Sequence, residues 1–113
     1  MKFIEETISR KELKNIASAN FGSLVKAVVD VEKGVLVVDA ELHSDEEAYL
    51  LENGSKQQNL WGINLYPDKA GKDFIEFDSM INMRPSHGNQ TRGVDDSATR
   101  ERITRIVEKL IKK

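Results

Sequence analysis

The stretch SLVKAVVDVEKGVLVVDAEL, Ser23 to Leu42, constrains the fold more than any other part of the chain. Two valine-rich runs flank a Lys33-Gly34 pair, and side chains along an extended chain point alternately to opposite faces. A loop with an even number of residues puts Val31 opposite Leu36, Val29 opposite Val38, Ala27 opposite Ala40 and Val25 opposite Leu42. One face is then wholly apolar. The other collects Lys26, Val28, Asp30, Val37, Asp39 and Glu41, with Lys26 across from Glu41. An odd loop mixes acids into both faces, which burial of either face penalises. The pattern predicts an antiparallel hairpin with an even loop and one buried face.

Three helices are expected around this hairpin. Ser9 and Glu12 form a capping box ahead of Leu13, Ile16 and Ala17, with Asn20 or Gly22 as the stop. Ser44 and Glu47 form a second box, and Gly54 is the left-handed stop. Ala48 and Leu51, with Tyr49 and Leu50 beside them, give that helix a short docking face. Asp95 or Asp96 opens the last helix, whose stripe is Ile103, Ile106, Val107, Leu110 and Ile111. Between the second and third helices, Trp61, Ile63 and Leu65 alternate with Gly62, Asn64 and Tyr66. Ile75, Phe77, Ser79, Ile81 and Met83 alternate with Glu76, Asp78, Met80, Asn82 and Arg84. These runs read as a second hairpin turning within PDKAGKD and ended by Pro85, which has no amide proton to donate. Lys2–Glu5 adds an edge strand. The order α-ββ-α-ββ-α predicts an α+β fold: a two-layer sandwich over residues 1–113, with a mainly antiparallel sheet and its helices on one face. The opposite face, half apolar, is expected to stay open.

The length of 113 residues suits one domain. Charged residues make up 32% of the chain with both signs interspersed, as in soluble globular proteins. Cysteine is absent, which excludes disulfides, iron–sulfur clusters, thiolate zinc sites and a cysteine nucleophile. No segment resembles a signal peptide and no run approaches about 20 apolar residues, so the expectation is a cytoplasmic protein without a membrane anchor. The triplets Asn53-Gly54-Ser55 and Asn89-Gln90-Thr91 then read as chance. A net charge of −2 argues against nucleic acid as a partner. Charge is nevertheless uneven: residues 84–113 carry eight bases against four acids, and the preceding 83 residues nine against fifteen. The split favours an anionic ligand at the C-terminal end, although a helix ending in lysines also suits its own dipole.

From Leu24 to about Ile111 the chain resembles a family of small prokaryotic proteins described only as a domain of unknown function. The resemblance lies in VKAVVDVEKGVLVVDAELHSDEEAYLLENGSKQQNLWGINLYP and IEFDSMINMRPSHGNQTRGVDD. It implies an independently folding domain, and lends no activity, cofactor or catalytic residue.

Three groups of residues could carry chemistry. In DAELHSDEE, alternation puts Asp39, Glu41 and His43 on one side, a set that could ligate a metal. Its spacing matches no metal motif, however, and these acids also have structural roles opposite Lys26 or at a helix start. No cofactor or metal is therefore assigned. In FDSMINMRP, Asp78, Asn82 and Arg84 share a face with Glu76, with Asn64 across from them. Asparagine is a poor strand former, which favours a role beyond structure. In the Arg84–Val94 loop, Arg84, Ser86, His87, Asn89, Thr91 and Arg92 supply donors suited to a small anion, and Gly88 and Gly93 admit close approach. These patterns predict a non-catalytic binding or assembly module. It would meet a second copy or another protein through the open sheet face, and an anionic ligand at the loop. The alternatives are an RNA-binding protein and a small, metal-assisted phosphodiester hydrolase. The hydrolase requires His43 or His87 in one pocket with a carboxylate and an arginine.

Overall fold

Strands β3 (Val25–Asp30) and β4 (Val35–Val38) form the expected hairpin, and Asp30 sets its register. The Asp30 carboxylate accepts the amides of Glu32 and Lys33 at 2.9 and 3.0 Å, and Gly34 completes the turn at φ +69°. The loop is even, as expected, and the two faces are those expected. The register differs by two residues: Val29 lies opposite Leu36 and Ala27 opposite Val38. Asp30 rather than Val31 closes the ladder because its side chain is committed to the turn amides. β4 ends early because Asp39 is left-handed at φ +69°, a conformation aspartate tolerates better than most residues. Glu41 therefore never faces Lys26, whose partner across β3 is Asn64.

The structure is a computed structural model and describes residues 1–112. β1 (Lys2–Ile4) pairs outside β4, as expected of an edge strand, and β5 (Leu60–Leu65) pairs on the far side of β3. β6 (Ile75–Glu76) closes the order β1-β4-β3-β5-β6, with all neighbours antiparallel. A separate parallel pair, β2 (Ile8–Ser9) with β7 (Ile111–Lys112), ties the two ends of the chain together.

One sheet face presents Val25, Ala27, Val29, Leu36, Val38, Ile63 and Leu65. It is covered by α1 (Arg10–Ala19) through Leu13 and Ala17, and by α3 (Ser97–Leu110) through Ile103, Val107 and Leu110. Ser9 and Asp96 cap as expected, accepting the Glu12 amide at 3.0 Å and the Thr99 amide at 2.9 Å, but the capping box at α1 is only half formed because the Glu12 carboxylate takes Lys2 Nζ at 2.6 Å.

The fold is α+β with the expected element order, but the helices do not share one face. α2 (His43–Glu52) lies on the opposite side, where Leu50 packs over Val28, Val35, Val37 and Leu60. The molecule thus has three layers rather than two, and the face expected to be open for a partner is covered. α2 turns His43, Glu46 and Leu50 inward, while Ala48 is exposed and Leu51 is 40% exposed. It also starts one residue before Ser44, at an N-cap, Leu42, that has no capping side chain. Among the described residues no helix is long and apolar enough to cross a membrane.

The second hairpin is shorter than expected, pairing only Asn64 with Glu76 and Leu65 with Ile75. Beyond Glu76 the chain leaves the strand expected to run to Arg84 and crosses back over Gly62. A Cβ at Gly62 would lie 2.5 Å from the Ser79 Cβ, so only glycine permits this crossing. Side chains replace the missing strand along the β5 edge. The Asn82 amide accepts from Gly62 N and donates to Gly62 O, both at 2.9 Å, and Arg84 Nη2 donates to Leu60 O at 2.6 Å. An asparagine amide matches a peptide group in donor and acceptor, so it can stand in for one residue of a ladder.

Candidate functional site

The start of α2, the polar side of β3 and β5 and the returning segment enclose a cavity of about 200 Å³. His43, Asn64, Asp78 and Arg92 line it together with Lys26 and Ser44. Four of the ten sequence candidates therefore meet in one place. β3–β5 pairing puts Lys26 beside Asn64, the α2 start delivers His43 and Ser44, and the crossing over Gly62 brings Asp78 and Arg92 above them.

Each polar group has a defined state. His43 is 9% exposed, and its Nε2 lies 2.8 Å from Ile63 O. A carbonyl only accepts, so Nε2 carries the proton and Nδ1 keeps a lone pair. Burial lowers the His43 pKa, with Lys26 and Arg92 adding to the effect and the Ile63 carbonyl and Asp78 opposing it. The ring is therefore neutral at physiological pH. Asn64 donates to Glu76 Oε1 at 2.8 Å and to Asp78 O at 3.3 Å, whereas its Oδ1 is buried with no partner. Because both contacts of its nitrogen are acceptors, the amide cannot be turned round. Arg92 Nε donates to Asp78 Oδ1 at 2.7 Å in a pair about half exposed to solvent. No side chain caps α2, and of its first three amides only that of Asp45 is bound, to Leu42 O at 3.2 Å, so the amides of His43 and Ser44 are left at the cavity.

The other six candidates lie elsewhere or serve the fold. Glu41 is exposed on the bend before α2, and because β4 ends at Val38 no strand alternation aligns it with Asp39 and His43. Ser86 and His87 are exposed on the turn Pro85–His87. Arg84 points back into the molecule rather than out to an anion. It stacks 4.3 Å over the Trp61 ring and donates to Gln57 O at 2.5 Å as well as to Leu60 O, and burial lowers its pKa. Asn82 is fully buried as the ladder substitute. Asn89 is 4% exposed: its amide donates to Asn82 O and Gly93 O at 2.7 and 2.8 Å and accepts the Asp95 amide at 2.8 Å. Most of the donors expected to bind an anion in the Arg84–Val94 loop are thus spent inside it, and Arg92 alone reaches the cavity.

Sequence reasoning missed Lys26 and Ser44 as site residues. A single lysine within a valine-rich strand was the available signal for Lys26. A wider depression of about 590 Å³ runs beside α3 along Arg100 and Thr104. It is shallow, and Arg100 there is already bound to Val94 O. Among the described residues no cluster of three or more histidine, aspartate or glutamate side chains could hold a metal ion.

A family model described as a protein of unknown function, DUF5674, matches residues 2–110. No curated protein and no solved structure matches the chain.

Proposed function

We propose that this chain, which belongs to the DUF5674 family, is a binding domain for a small ligand bearing an anionic group, held in the cavity at the start of α2. One observation carries the reading: an uncapped helix start opens on a cavity that Lys26 and Arg92 also line. Helix-start amides with nearby cations favour an anion. The volume falls below the usual range of roughly 300–1,000 Å³ for drug-sized ligands, which favours a ligand of metabolite-fragment size.

Thermal unfolding of the full chain against a panel of small carboxylates and phosphates, at constant ionic strength, tests this. At about 100 times its Kd a ligand adds about 2.7 kcal/mol, a shift on the order of 10 °C for a domain of this size. At least one anion is expected to raise Tm this way, and the double variant Lys26→Ala, Arg92→Ala to lose the response. No shift from any panel member would remove the reading.

A further inference from the structure

We infer that the ligand is a free α-amino acid with an uncharged aliphatic side chain, an inference that rests on the anion-pocket reading above. The cavity has three kinds of wall, and each matches one part of such a molecule.

The cationic wall suits a single carboxylate. Arg92 is neutralised by Asp78, so Lys26, Arg92 and Asp78 together contribute a net +1, to which the α2 amides add the partial charge of a helix start. A doubly charged phosphate would meet Asp78 with too little compensation.

The second wall consists of acceptors. Asp78 Oδ2 remains after Oδ1 takes the Arg92 guanidinium. His43 presents Nδ1 as a lone pair because Ile63 O holds the proton on Nε2. Two acceptors on the lining of one small space, one of them a carboxylate oxygen, match a group with several N–H donors, and an ammonium has three.

The third wall is apolar: Leu42 and Met80 stand 53% and 63% exposed at the rim, with Ile81 beside them. They would meet an aliphatic side chain. About 200 Å³ equals roughly seven waters at about 30 Å³ each, room for the body of an amino acid.

Isothermal titration calorimetry on the full chain tests the inference with three probes: leucine, 4-methylpentanoate, which lacks the amine, and 3-methylbutylamine, which lacks the carboxylate. Leucine is expected to bind at least tenfold more tightly than either analogue. Asp78→Asn is expected to weaken leucine at least fivefold and to leave 4-methylpentanoate unchanged. Equal affinity for leucine and 4-methylpentanoate would overturn the amino-acid assignment and leave the anion pocket standing. Absence of leucine binding would also overturn it, while the thermal panel decides the pocket separately. If Asp78→Asn fails to fold, the three probes on the unaltered chain already decide.

Discussion

Glu46 is fully buried between α2 and the sheet, and its carboxylate has no well-formed hydrogen bond, only a weak approach to the Ala40 backbone. Burial pushes its pKa up to about 10, against smaller opposing effects from the Ala40 backbone and Lys26. The folded chain therefore holds a proton that the unfolded chain releases near 4.5. Stability from this group is fully present below that value and is lost as pH rises toward the folded value, by roughly 3 kcal/mol at pH 7. Glu46→Gln keeps the shape and cannot ionise, so the decline should flatten. Urea unfolding of both proteins at about pH 4.5 and 8 measures it, and an unchanged pH slope would refute the assignment. Nothing in the sequence singled this residue out. It is the middle of three consecutive acids, Asp45-Glu46-Glu47, followed by the apolar run Ala48-Tyr49-Leu50-Leu51, so helical period alone could not say which side of α2 faces inward.

Among the elements, α1 and α3 were legible because both their caps and their apolar stripes are local features of the chain. The start of α3 adds a pH-dependent contribution. Asp96 accepts the Thr99 hydroxyl at 2.7 Å and the Thr99 amide at 2.9 Å, and these bonds hold its pKa below the ordinary carboxylate value. Asp95 is lowered likewise, first by the Thr91 hydroxyl and then by the Gln90 amide. For a depressed carboxylate the stabilisation is present above the unfolded pKa and is lost as pH falls through the folded one. Asp96→Ala should therefore lower Tm at neutral pH, with the gap closing in acid. Thermal melts of both proteins from pH 7 down to about pH 2 check this, and a constant gap would show that the cap does not act through its charge. β6 was not legible. Alternation continues on paper to Arg84, but the β5 edge is taken by the side chains of Asn82 and Arg84 instead of a strand.

For the whole molecule, covering both sheet faces converts the expected open surface into a cavity. Asp78 to Ile81, with Arg92, form one wall of it, and Asn82 latches that wall to β5. Its amide makes three bonds: from Gly62 N, to Gly62 O and to Arg92 O. Asn82→Ala leaves these backbone groups unpaired in a buried setting, at a cost of roughly 3 kcal/mol. The urea midpoint should fall accordingly, and the anion response of the thermal panel should weaken with it. A midpoint within error of the parent would show that the segment is held by other contacts.

By itself the sequence determined what depends on neighbours along the chain: the α+β class, the order of elements, the parity of the Val25–Val38 hairpin, and the caps at Ser9 and Asp96. Turn chemistry and apolar period act over a few residues, so they can be read without knowing what packs where. Only the tertiary structure decided which side of the sheet α2 covers, where the second hairpin ends, and that His43, Asn64, Asp78 and Arg92 share a cavity while Arg84 and Asn89 hold the loop together. Those outcomes depend on contacts between residues far apart in the chain, above all the approach of Ser79 to Gly62 and the exchange of a strand for an asparagine side chain. A local pattern carries no record of either.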